Sequence, residues 1–103
     1  DRITYAADYA SRHGVTVVLK GARTVIAAAD GATFINSTGN AAMATGGAGD
    51  VLAGLTGGLL AQGWPPTEAA VLGVYLHGEA GDKAAAIRAN PDSLTASDLI
   101  DAL

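Results

Sequence analysis

Residues 40–54 read Asn-Ala-Ala-Met-Ala-Thr-Gly-Gly-Ala-Gly-Asp-Val-Leu-Ala-Gly. Gly46, Gly47 and Gly49 precede a lone carboxylate, Asp50, and an apolar helical spacing follows at once through Val51, Leu52, Leu55 and Leu59. Glycine is needed where backbone takes a positive φ or approaches a ligand closely. The chain must therefore turn sharply here and then enter a helix. Such a turn points free backbone N–H groups and the positive end of a helix dipole at one place, an anion site whose usual occupant is phosphate. A carboxylate works against that site unless it has a chemical task. Asp50 could take a proton from a hydroxyl that faces the phosphate. The competing reading is structural, because many Gly-rich turns are only turns and Asp is a favoured helix N-cap. Asn40 and Thr45 add donors. Gly54, Gly57 and Gly58 continue into the helix, where each glycine costs about 1 kcal/mol relative to alanine. That cost predicts close packing of this helix against another backbone or a ligand.

The rest of the chain alternates helix and strand signals. Ile3, Ala6, Ala7 and Ala10 predict a helix over 2–13, closed by Gly14. The β-branched run Val15–Leu19 predicts a buried strand, in a βαβ unit whose first strand lies upstream. Lys20 then sits at a strand's carboxyl end, where open α/β sheets bind ligands. Asp30-Gly31 between Thr24–Ala29 and Ala32–Asn36 predicts an antiparallel hairpin, with Phe34 and Ile35 in the core. Met43 is expected to pack beneath the Gly-rich loop. The helix that follows the loop should run from Ala48 to Gln62 and stop at Gly63. Trp64-Pro65-Pro66 reads as a rigid connector with Trp64 covering an apolar edge, and Thr67 as the cap of another helix. That helix carries His77, read as a structural partner rather than a catalyst, and Asn90-Pro91 breaks it. His13 likewise has no local partner that marks a ligand. Thr95-Ala-Ser-Asp98 resembles a capping box before a last short helix.

The stretch Asn40–Gly54 resembles the signature of the ADP/ATP-dependent NAD(P)H-hydrate dehydratases of the ribokinase-like superfamily. Lys20-Gly-Ala-Arg-Thr24 and Leu76-His-Gly-Glu-Ala-Gly-Asp82 extend the match over most of the chain. The resemblance implies an α/β fold: a ribokinase-like layered sandwich with a mostly parallel sheet and helices on both faces. Residues 1–103 would be the C-terminal, nucleotide-binding part of one such domain. The family's catalytic domain is more than twice as long, and the chain opens at Asp1 without an initiator Met. Nucleotide contacts are implied for Lys20, Gly21, Ala22, Arg23 and Thr24. They are also implied for Asn40, Ala41, Ala42, Met43, Ala44, Thr45, Gly46, Gly47, Ala48 and Gly49. Asp50 is implied as the catalytic base and a contact of the substrate, hydrated NADH or NADPH. The cofactors would be ADP or ATP with Mg2+, the ion held largely through phosphate and water because no local carboxylate pair marks a metal cage. Two rival readings use the same residues. A sugar or vitamin-alcohol kinase of the superfamily would stop at phosphoryl transfer, and a non-catalytic module would only bind nucleotide.

Composition narrows the partners. Net charge is −4 with six Lys and Arg and no basic run, which argues against nucleic acid or an anionic membrane. There is no cysteine, so no disulfide or thiolate metal site forms, which suits a cytoplasmic setting. No apolar run reaches the ~20 residues that span a bilayer. We also expect a homo-oligomer.

Overall fold

A computed structural model describes residues 1–21, 23–40, 43, 46–87 and 94–103. The elements are α1 (Arg2–His13), β1 (Val17–Leu19), β2 (Val25–Ala27), β3 (Thr33–Ile35), α2 (Ala48–Ala61), α3 (Pro66–Ala86) and α4 (Ala96–Ala102). No helix of the described residues is long and apolar enough to cross a membrane.

Strand β2 is the middle of the molecule. All three of its residues are buried, and their side chains alternate between faces as a strand requires. Val25 and Ala27 meet Ala6 and Ala10 of α1 on one face. Ile26 meets Leu52 of α2 and Ala70 and Val74 of α3 on the other. Helix, sheet and helix pair thus form three layers around two apolar seams. A third cluster joins Ala48, Ala84, Leu94 and Leu99, with Met43 packed against it. It seats α4 beside the start of α2.

Helix α1 begins at the cap of Asp1, whose carboxylate accepts from Thr4 N at 3.0 Å, and ends at Gly14 with φ 64°. The Asp30-Gly31 hairpin forms, with Gly31 at φ 95° and Ala28 N donating to Ala32 O at 2.8 Å. The sheet order is β1-β2-β3, and both pairings are antiparallel. Strand β1 therefore joins β2 as an antiparallel meander. The 20–24 connection is too short for anything else, since a parallel crossover needs about a dozen residues. Strand β1 is also shorter and less buried than the Val15–Leu19 run suggests: Val15 is 41% exposed and Val18 36%. Phe34 and Ile35 are not core residues, at 41% and 51% exposure. They lie on β3, which among the described residues pairs along one edge.

Helix α2 ends as expected, with Gln62 at its C-cap and Gly63 at φ 93°. Its interior glycines meet no other backbone among the described residues. A Cβ at Gly54, Gly57 or Gly58 would meet nothing within 4 Å. The close approaches belong to α3, where Thr56 fills the space a Cβ at Gly73 would need and Thr38 that at Gly78. Thr67 does not cap α3. Pro65 is the N-cap and Pro66 occupies the first helical position, where proline's fixed φ and missing N–H are favourable. The Thr67 hydroxyl instead lies 3.1 Å from that of Thr16. Trp64 is 41% exposed. The Thr95–Asp98 capping box is present in both directions. Asn90-Pro91 lies outside the described residues; α3 ends before it, at Ala86.

Candidate active site

A cavity of about 790 Å³ opens where β1, α2 and α3 converge. The β1–β2 connection contributes Lys20, Gly21 and Thr24, and the segment after β3 contributes Asn36, Thr38, Gly39, Asn40 and Met43. The first turns of α2 add Ala48, Gly49 and Leu52, and α3 adds Val74, His77 and Gly78. Lys20, Gly21 and Thr24 of one stretch singled out in the sequence thus share one space with Asn40, Met43, Ala48 and Gly49 of the other.

The geometry explains why glycine is required. Gly47 is the N-cap of α2 at φ 88°, with no side-chain cap bond. The cap residue supplies no side-chain acceptor to the first-turn N–H groups, as an anion site needs. Two residues on, a Cβ at Gly49 would lie 3.0 Å from the Lys20 ammonium. The lysine therefore rests directly over the first turn of α2, and cation and helix dipole favour the same negative ligand.

Asp50 is exposed and stands in the first turn of α2, next to the cavity wall but not part of it. It is not the helix cap, because Gly47 holds that position. It stands at the third helical position, where the helix dipole favours an acid. Among the expected nucleotide contacts, Lys20, Gly21, Thr24, Asn40, Met43, Ala48 and Gly49 line the cavity. Arg23 does not; its carbonyl accepts from Arg2 Nη1 at 3.1 Å. Gly46 and Gly47 form the turn behind the wall. Ala22, Ala41, Ala42, Ala44 and Thr45 lie outside the described residues.

Three residues to which the sequence reading gave no site role shape the site. Arg2, at the start of α1, reaches across to the carbonyls of Leu19 (3.3 Å), Lys20 (3.4 Å) and Arg23. It gathers the β1–β2 connection from the side opposite the cavity's helices. Asp82 of α3 accepts from Gly39 N at 3.0 Å and from Asn40 Nδ2 at 2.9 Å. No spacing rule marks either residue, because each acts on a partner far away in the chain. His77 was read as a structural partner, yet it lines the cavity. Burial pushes its pKa below the usual 6.5, the Lys20 charge adds to the fall, and a hydrogen bond with the Ala48 backbone opposes it. Its Nε2 is buried with no hydrogen-bond partner among the described residues. No group of three or more His, Cys, Asp or Glu among the described residues is placed to hold a metal ion.

Comparison with known proteins agrees with this arrangement. The family model described as NAD(P)H-hydrate dehydratase matches residues 1–103. The bifunctional NAD(P)H-hydrate repair enzyme of Moorella thermoacetica is 53% identical over 103 residues, which are 100% of this chain and 19% of that protein. A crystal structure of the ADP/ATP-dependent NAD(P)H-hydrate dehydratase of Bacillus subtilis, co-crystallised with ATP/Mg2+, superposes with TM-score 0.92. Identity there is 38%, over 99% of this chain and 36% of that one. A ribokinase-like superfamily protein from Enterococcus faecalis superposes with TM-score 0.78 and 41% identity, over 94% of this chain and 33% of that one. The fold is therefore α/β and ribokinase-like, and the chain spans well under half the length of each of these proteins. On the family match across all of its residues, this chain belongs to the NAD(P)H-hydrate dehydratase family.

Proposed function

We propose that this chain forms the nucleotide-holding side of an enzyme that dehydrates hydrated NADH or NADPH, coupled to cleavage of ADP or ATP. The observation that carries this reading is the Lys20 ammonium resting over Gly49 in the first turn of α2. That is a cradle for a phosphate group, built from the two stretches that resemble the family's nucleotide contacts. Asp50 lies at its rim.

Hydroxide is a poor leaving group, so the hydrate's water must be activated before it departs. In the proposed reaction the substrate hydroxyl attacks the terminal phosphorus, and its proton passes to the Asp50 carboxylate. The new P–O bond replaces the bond to the departing AMP or ADP. The C–O bond then breaks with phosphate as leaving group, the adjacent ring carbon gives up a proton, and the dihydropyridine double bond returns. Lys20 and the N–H groups around Gly47, Ala48 and Gly49 stabilise charge on the transferring phosphoryl group. Mg2+ would be held mainly by phosphate and water. When bound, the ion would neutralise phosphate charge.

The test is an assay of the full-length protein for return of NADH from its hydrate with ADP or ATP, with ADP affinity measured alongside. Nucleotide-dependent return is expected, together with weaker ADP binding in Lys20→Ala. Phosphorylated product that accumulates without dehydration would contradict the reading.

A further inference from the structure

The wall of the cavity between β3 and α2 is docked on α3 at several points. The Thr38 hydroxyl donates to Tyr75 O at 3.0 Å, Thr38 fills the space beside Gly78, and Met43 fills that beside Gly81. One contact in this series is charged. Asp82 uses both carboxylate oxygens on the segment, Oδ2 for the Gly39 amide and Oδ1 for the Asn40 side chain. It takes part in neither described salt bridge; the neighbouring Lys83 pairs with Glu79 at 3.4 Å. Gly39 has φ 100°, a conformation that turns its N–H toward α3 and that other residues adopt only with strain.

We propose that Asp82 is a positioning residue for the nucleotide site, which sets the orientation of the Asn40 amide in the cavity wall. The argument is stereochemical. An ionised carboxylate only accepts hydrogen bonds, whereas an amide has a donor end and an acceptor end of nearly the same shape. Facing Asp82, Asn40 must present its NH2 end, and its carbonyl end is turned to the other side. A neutral staple would not impose this choice. An amide at position 82 would keep the Gly39 bond through its oxygen and present NH2 to Asn40. Asn40 would then have to rotate by half a turn and offer its oxygen. Asp82→Asn is therefore nearly isosteric and keeps both bonds, yet it exchanges donor for acceptor in a wall that the nucleotide touches. This inference rests on the nucleotide reading of the cavity.

The test uses the full-length protein, with thermal midpoint and ADP affinity measured on each variant. Asp82→Asn is expected to melt close to wild type while binding ADP about tenfold more weakly, a loss equivalent to about 1.4 kcal/mol. Asn40→Ala is expected to lose a similar factor. Asp82→Asn placed on top of Asn40→Ala should then add little, because the two changes act through one group. Unchanged ADP affinity in Asp82→Asn or in Asn40→Ala would overturn the proposal, as would simple additivity. Collapse of the Asp82→Asn fold would also overturn it, since only a purely stabilising carboxylate predicts that result. Lys20→Ala separates the two levels of the argument. If it weakens ADP binding and Asp82→Asn does not, the positioning role falls and the nucleotide site stands. If neither variant has an effect, both fall.

Discussion

Gly47 and Gly49 are two residues apart and carry different demands. Gly47 has φ 88°, and a Cβ there would meet the Ala96 Cβ at 3.1 Å. Gly47→Ala should therefore lower stability by at least about 1 kcal/mol from backbone strain alone. Gly49 has an ordinary helical φ, and its Cβ would meet only the mobile end of Lys20. Gly49→Ala should leave the thermal midpoint unchanged or higher, because alanine is favoured in a helix by up to about 1 kcal/mol. It should still weaken ADP binding by displacing the ammonium. Calorimetry and melting of the two full-length variants check this contrast, and loss of stability in both would contradict it. His77 gives a pH dependence with a definite sign. Its folded pKa lies below 6.5, chiefly through burial, so below that pH the unfolded chain binds more protons than the folded one. Its contribution to stability is present above pH 6.5 and is lost as pH falls toward the folded value. Melting midpoints of wild type and His77→Gln across pH 5 to 8 should converge on the acid side if this is right. The sequence showed His77 on a helix with no marked partner; which wall that helix lines depends on tertiary packing.

At the scale of elements, local chemistry set most boundaries. Gly14, Gly63 and the Thr95–Asp98 box end or begin helices where the residue types demand it. Thr67 failed as a cap because Pro66 claims the first helical position, an equally local rule with a stronger claim. The antiparallel sheet was half visible. The Asp30-Gly31 hairpin is a two-strand signal, whereas the pairing of β1 depends on the length of the 20–24 connection. Among the described residues, close helix packing falls on the glycines of α3, which the sequence reading did not anticipate, and not on those of α2. Gly54, Gly57 and Gly58 face open space among the described residues, while Gly73, Gly78 and Gly81 meet Thr56, Thr38 and Met43. Gly78→Ala should therefore cost about 1–3 kcal/mol, the usual range for overpacking, and should loosen the segment from Thr38 to Asn40. Gly57→Ala should stabilise by up to about 1 kcal/mol if its face stays open. Denaturant unfolding of the two full-length variants checks the opposite signs. Destabilisation by Gly57→Ala would show that another surface covers α2.

Across the whole molecule, the site exists because three layers bring distant stretches to one end of a short sheet. Lys20 and Gly49 meet only after β1 ends beside the first turn of α2. Their residue types suggested a phosphate site in the sequence, from glycines before a helix and a lysine after a strand. The supports were not: Arg2 behind the β1–β2 connection and Asp82 behind Gly39 and Asn40 act on partners that only the fold supplies. Asp50 is where sequence and structure press the same question. An acid in the first turn of α2 that is not the helix N-cap is favoured by the helix dipole; in the proposed function it also takes a proton beside the phosphates. Asn is nearly isosteric and caps helices equally well, but it cannot take the proton. The direct measurement is single-turnover return of NADH from its hydrate, with ADP affinity, on full-length wild type and Asp50→Asn. We predict a rate lowered roughly 10²–10⁴-fold, the usual contribution of a general base, with ADP affinity held or improved because a negative charge has been removed near the phosphates. Near-normal turnover in Asp50→Asn would contradict the mechanism at its centre.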